Sequence, residues 1–112
     1  MTHLVSADLI GQNLIESIPA GVEIESGDPT AAVAELATLA GTEVGLWQMT
    51  PGVAHDVESD ELFVVLSGHG VVEFDDGETI HLRPGVMVRL AAGERTRWII
   101  HEALRKLYLA PR

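Results

Sequence analysis

Asp60-Glu-Leu-Phe-Val-Val-Leu-Ser-Gly68 decides the fold. An acidic pair opens it, a short apolar run fills it and Ser67-Gly68 closes it, which is the length and punctuation of a β-strand. The same grammar repeats outward in both directions. Upstream, Val44–Thr50 stops at Pro51-Gly52. Downstream, Val71–Phe74 stops at Asp75-Asp76-Gly77, a hairpin signal, and Thr79–Leu82 stops at Pro84-Gly85. Val86–Leu90 ends at Ala92-Gly93, after which Thr96–His101 and Leu104–Leu109 complete the series. Seven short strands in about seventy residues predict an all-β sandwich or barrel.

Composition agrees. With 112 residues the chain has room for one domain and its core, and the eleven glycines are spread between apolar runs. The absence of cysteine excludes disulfides, thiolate metal sites and thiol nucleophiles. Met1-Thr2-His3-Leu4 shows no basic region leading into a long apolar stretch, so no signal peptide is expected. No apolar run reaches the roughly 20 residues of a bilayer span. The expectation is a cytoplasmic protein with no membrane partner.

Charge is segregated along the chain. Residues 1–82 hold fifteen Asp or Glu and no Lys or Arg, while residues 83–112 hold all seven Lys and Arg against Glu94 and Glu102. A net charge of −10 repels nucleic acid, so none is expected as a partner. In an antiparallel fold late strands pair with early ones, so cross-strand ion pairs account for the asymmetry without a partner.

Two glycine-anchored spacings carry a family resemblance. The first runs His55, Glu61, Gly68; the second runs Gly85, Ala91, Gly93, Thr96. Together with Gly45-Leu-Trp-Gln-Met-Thr-Pro-Gly52, Leu82-Arg-Pro-Gly85, Ala92-Gly-Glu-Arg-Thr-Arg-Trp98 and Arg105-Lys-Leu-Tyr108, residues 44–109 resemble the small cupins grouped with the ureidoglycine aminohydrolase and ethanolamine-utilisation cupins. The resemblance implies a cupin double-stranded β-helix (an RmlC-like jelly-roll barrel) in a single domain, commonly a homodimer, with a small-molecule pocket at its mouth. It places the barrel at residues 41–112 and makes residues 1–40 an N-terminal segment of early strands or a short helix packed on it. Asp28-Pro29-Thr30 and Gly41 bracket Ala31–Leu39 like helix caps, whereas the family pattern favours a strand there. Ser6–Ile10 reads as a helical turn or an edge segment.

Larger members hold a metal in that pocket. Here Val57, Ala91 and Thr96 stand where the family has histidine, proline and histidine. His55 and Glu61 alone keep the ligand spacing, and two donors with water make a weak site. No cofactor is therefore expected, and a divalent metal on His55 and Glu61 is the alternative.

Phase along the strands supplies the other candidates. Glu61, Phe63 and Val65 share one face, as do Thr96, Trp98 and Ile100. If both faces point inward, Glu61, Phe63, Thr96 and Trp98 line an apolar interior with a few polar groups, as ligand pockets do. Buried without a cation, Glu61 would act as a general acid or base. Trp47 and Arg97 join the candidate ligand contacts; a strand tryptophan equally serves a core, and Arg97 equally pairs with Glu73 or Glu78 in solvent. Three functions stay open: a small polar metabolite bound without a full metal site, a metal-dependent cupin enzyme, and a non-catalytic accessory or dimerisation protein.

Overall fold

A computed structural model describes residues 3–14 and 16–112. Met1 and Thr2 of the N-terminal motif lie outside the described residues. Every regular element among the described residues is a strand: β1 (Glu16–Pro19), β2 (Glu23–Gly27), β3 (Thr30–Leu39), β4 (Thr42–Met49), β5 (Gly52–Val57), β6 (Glu61–Phe74), β7 (Thr79–Leu82), β8 (Met87–Leu90) and β9 (Arg95–Pro111). All pair antiparallel in one curled sheet, ordered β1-β3-β4-β9-β5-β2, with β6 pairing β7, β8 and β9. The fold is the single all-β barrel-like domain that the sequence predicts.

The helix-like punctuation around Ala31–Leu39 loses to sheet pairing. β3 pairs with β4 from Ala31↔Met49 to Leu39↔Thr42, with one register shift between Glu35 and Ala37, and Ala31 is buried. Propensity is a weak prior that tertiary pairing overrides. Ser6–Ile10 forms no regular element apart from a turn at Leu9–Gly11. That segment is tied down by Arg105, whose guanidinium donates to the carbonyls of Leu9 and Gln12 at 2.9 and 2.8 Å and to the Gln48 side chain at 3.0 Å.

Two expected breaks are absent. Ser67-Gly68 is no turn: β6 runs through it as one strand, and β9 joins the two runs expected over 96–101 and 104–109. The two strands pair along their length with register shifts between Val65 and Gly70. Gly68 sits there at φ 83°, and a Cβ on it would lie 1.9 Å from the Ala103 carbonyl oxygen. The bulge absorbs one residue, so the buried set of β6 switches from Phe63 and Val65 to Val72 and Phe74. Without that switch, one half of β6 would turn its apolar residues into water.

β9 lies between β4 and β5 and also pairs β6. It carries Arg95, Arg97, Arg105 and Lys106 into the middle of the acidic part of the chain. Arg97 reaches Glu25 and Glu73, Lys106 reaches Glu61, and Arg112 reaches Glu35 and Glu43. Cross-strand pairs thereby bring part of the late positive charge onto five of the early carboxylates.

Candidate functional site

Trp98 and Thr96 face inward on β9, each 3% exposed. Ala54 pairs with Trp98 and Asp56 with Thr96, so Ala54 and Asp56 share that inner face. His55 and Val57 consequently face out. His55 Nε2 lies 2.6 Å from Glu25, which also takes two bonds from Arg97 at 2.9 and 2.7 Å, while Arg97 donates to Glu73 at 2.8 Å. Those hydrogen bonds, Arg97 first and then His55, hold the Glu25 carboxyl at about 2 and push Arg97 up. Every member of this outer network is more than a third exposed, so its worth to stability is small.

Inside, two polar clusters share the interior. In the first, the Glu61 carboxylate accepts from the Lys106 ammonium at 2.7 Å, with side-chain exposures of only 19% and 6%. That ammonium also lies 4.6, 4.3 and 4.9 Å from the ring centroids of Trp47, Phe63 and Trp98. Trp98 packs against both other rings at 5.7 Å. In the second, Glu58 accepts from the Thr96 hydroxyl at 2.6 Å and from the Trp98 indole N–H at 3.0 Å. No buried side-chain polar atom among the described residues lacks a partner.

Asp56 stands beside these clusters half-buried. Its carboxylate has one hydrogen bond among the described residues, from the Val57 backbone N–H at 2.9 Å. Burial, then the neighbouring Glu58 charge, raises its pKa above the ordinary aspartate value. Asp56 and Thr96 line a cleft of about 430 Å³ with His55, Glu73, Arg95 and Arg97, at the end of β5 and the start of β9. Glu61 opens instead on a separate cleft with Asp60, Leu62 and Arg89. On the outer surface His69, His81 and His101 flank a further groove.

The candidates divide accordingly. Glu61, Phe63, Trp98 and Trp47 come together, and Thr96 joins them through its 3.0 Å bond to the Trp98 indole. The space between Glu61 and Thr96 holds the Lys106 ammonium and the Trp98 ring, and neither Phe63 nor Trp98 lines any of the clefts named above. Arg97 and His55 are bonded to Glu25 in the outer network, and both also line the cleft that holds Asp56 and Thr96. The condition set for Glu61 as an acid or base, burial with no cation, does not hold, because Lys106 is bonded to it.

The metal expected in larger cupins does not fit these residues. His55 and Glu61 lie on opposite faces of the sheet, Lys106 places a cation against Glu61, and no three His, Cys, Asp or Glu among the described residues are grouped to hold an ion.

Sequence reasoning missed Asp56, Glu58 and Lys106. Lys106 was legible in principle, since Leu104, Lys106 and Tyr108 share a face by the period of two.

The model of the EutQ-like cupin domain matches residues 36–108. The chain belongs to that family. This cupin is similar to the EutQ protein of Clostridium difficile, at 16% identity over 87% of this chain and 80% of that one, with a TM-score of 0.66. A DUF861-family protein of unknown function from Pseudomonas syringae pv. tomato gives 21% identity over 91% of this chain and 45% of that one, at 0.73. An ectoine synthase from P. lautus gives 18% identity over 78% and 66%, at 0.60. Identities this low establish the shared fold alone. No curated protein matches the chain.

Proposed function

We propose that this cupin binds a small polar metabolite at the barrel rim, in the cleft shared by Asp56 and Thr96, and that binding needs no metal. One observation carries the reading: the half-buried Asp56 carboxylate lines a cleft of about 430 Å³ and, among the described residues, accepts only a backbone N–H, with neither Arg95 nor Arg97 of the same cleft bonded to it. Burying an ionised group without a counter-charge is costly, and a ligand that donates hydrogen bonds or brings positive charge removes that cost. Amines, amidines and ureides have this chemistry; simple carboxylates do not. Beneath the cleft the Glu58–Thr96–Trp98 hydrogen bonds fix the floor, so the site is rigid before the ligand arrives.

Any proton transfer in this site falls to Asp56 and not to Glu61. Burial holds the Asp56 pKa above the ordinary aspartate value and leaves its carboxylate facing the cleft, whereas Glu61 is committed to Lys106.

A thermal-shift screen of amines, ureides and carboxylates tests the reading. Ligands of the first two classes raise the melting temperature in proportion to the logarithm of their concentration above the dissociation constant, with or without a chelator. Asp56→Asn and Thr96→Val each reduce that increment at least tenfold in apparent affinity. Increments that survive both substitutions, or that vanish with chelator, overturn it.

A further inference from the structure

The cluster around Lys106 has the composition of a receptor for ammonium ions. Three aromatic faces at 4.3 to 4.9 Å surround the nitrogen, and the Glu61 carboxylate closes the fourth side at 2.7 Å. Ring quadrupoles attract a cation through their negative faces, most strongly for tryptophan, and the attraction grows when water is excluded. Lys106 is 5% exposed, so water is largely excluded here. The residues come from three strands: Trp47 on β4, Glu61 and Phe63 on β6, Trp98 and Lys106 on β9. Since Lys106 pairs directly across from Trp47 and Val65, its stem needs only to bend over a ring to fill the site.

We propose that Glu61, Trp47, Phe63 and Trp98 form a binding site for primary alkylammonium groups, and that the chain occupies this site with its own Lys106. The ammonium takes the position that a metal would need beside Glu61, so the barrel centre is neutralised from within and closed to external cations. This inference does not rest on the rim site, with which it shares only Trp98, whose indole N–H bonds beneath that cleft.

The test removes the tethered occupant and supplies a free one. Lys106→Ala deletes three methylenes and the ammonium, which n-propylammonium restores in size and charge. Both tryptophans of the chain belong to the cage, so intrinsic fluorescence reports its occupancy directly. In Lys106→Ala, n-propylammonium returns the emission toward that of the parent protein and raises the melting temperature by roughly 5 °C at saturation. It does so at a concentration at least about tenfold below that required by 1-propanol, and Glu61→Gln in the same chain removes the preference. The parent protein shows no fluorescence response to millimolar n-propylammonium.

Equal rescue by amine and alcohol shows a mere hole and overturns the proposal, as does no rescue by either. A response of the parent protein at millimolar amine overturns occupancy by Lys106. If Lys106→Ala does not fold alone, refolding it with each additive decides the matter: recovery with the amine and not the alcohol supports the site, and recovery with neither, or with both alike, refutes it.

Discussion

Breaking the pair between Glu61 and Lys106 gives the sharpest quantitative check on the interior. Replacing Glu61 with Leu leaves an ammonium that is 6% exposed with no counter-charge. Removing one partner of a buried pair costs about 3–5 kcal/mol. Two features move this case to the lower end. The ammonium keeps three ring faces, each worth at least about 0.5 kcal/mol, and Glu61 was itself 19% exposed, so part of its charge was already solvated. The expected loss is about 3 kcal/mol, or a fall in melting temperature of roughly 10 °C for a domain of this size. Lys106→Met strands the more exposed carboxylate, which water can reach, and costs about 2 kcal/mol. The double variant replaces the pair with apolar groups of similar size and comes within about 1 kcal/mol of the parent. Urea unfolding followed by far-ultraviolet circular dichroism reads all four stabilities, and the cycle yields a coupling of at least about 2 kcal/mol that is unaffected by 0.5 M salt. Single variants that each cost under about 0.5 kcal/mol, or that simply add in the double, refute a buried and specific pair.

Three further outcomes follow from the same geometry. Gly68→Ala costs about 3 kcal/mol or prevents folding, because its Cβ meets the Ala103 carbonyl at 1.9 Å, whereas Gly77→Ala, at φ 95° in open space, costs about 1 kcal/mol; thermal melts rank the two. Asp56→Asn raises the melting temperature at pH 7, and the gain shrinks as pH falls. The sign follows from the raised pKa: the penalty on ionised Asp56 is complete above that pKa and disappears as the group takes a proton toward pH 3.8, so a gain that grows on acidification refutes the assignment. Arg97→Gln lets the Glu25 carboxyl rise from about 2 toward 4.5, readable by NMR titration. Glu25 stabilises the parent above pH 4.5 and ceases to as pH falls through about 2, so the two melting temperatures converge at acid pH and also in 1 M salt.

The strands were legible wherever punctuation and β-branched content agreed, which is why Val44–Thr50 and Thr79–Leu82 nearly coincide with β4 and β7. Ser67-Gly68 misled because a glycine at positive φ serves a bulge as well as a turn, and only the pairing partner distinguishes the two. That hidden bulge did not disturb the site, since Glu61 and Phe63 precede it and keep their inward phase. β5 was the more consequential omission. Unread as a strand, it gave no phase by which to see that Asp56 turns inward and His55 outward, so the spacing from His55 to Glu61 looked like a ligand pair. Glu58 lies between strands, where no periodicity applies, and its inward turn depends on backbone bonds between Glu58 and the Gly93–Glu94 turn. Trp47, Phe63 and Trp98 were found by phase, but what they enclose was not, because a lysine in an apolar strand reads as a solvent residue until its neighbours are known.

β9 is synthesised after every other strand of the sheet, yet β4, β5 and β6 all depend on it for pairing. Until it leaves the ribosome, the first 82 residues carry fifteen acidic groups and no Lys or Arg, and mutual repulsion keeps them expanded and apart from other nascent chains. Emergence of the last strand then supplies hydrogen-bond partners for β4, β5 and β6 together with Arg95, Arg97, Arg105 and Lys106. Like-charge repulsion along residues 1–82 opposes premature collapse and edge-to-edge aggregation, the usual hazards of a sheet built from distant segments.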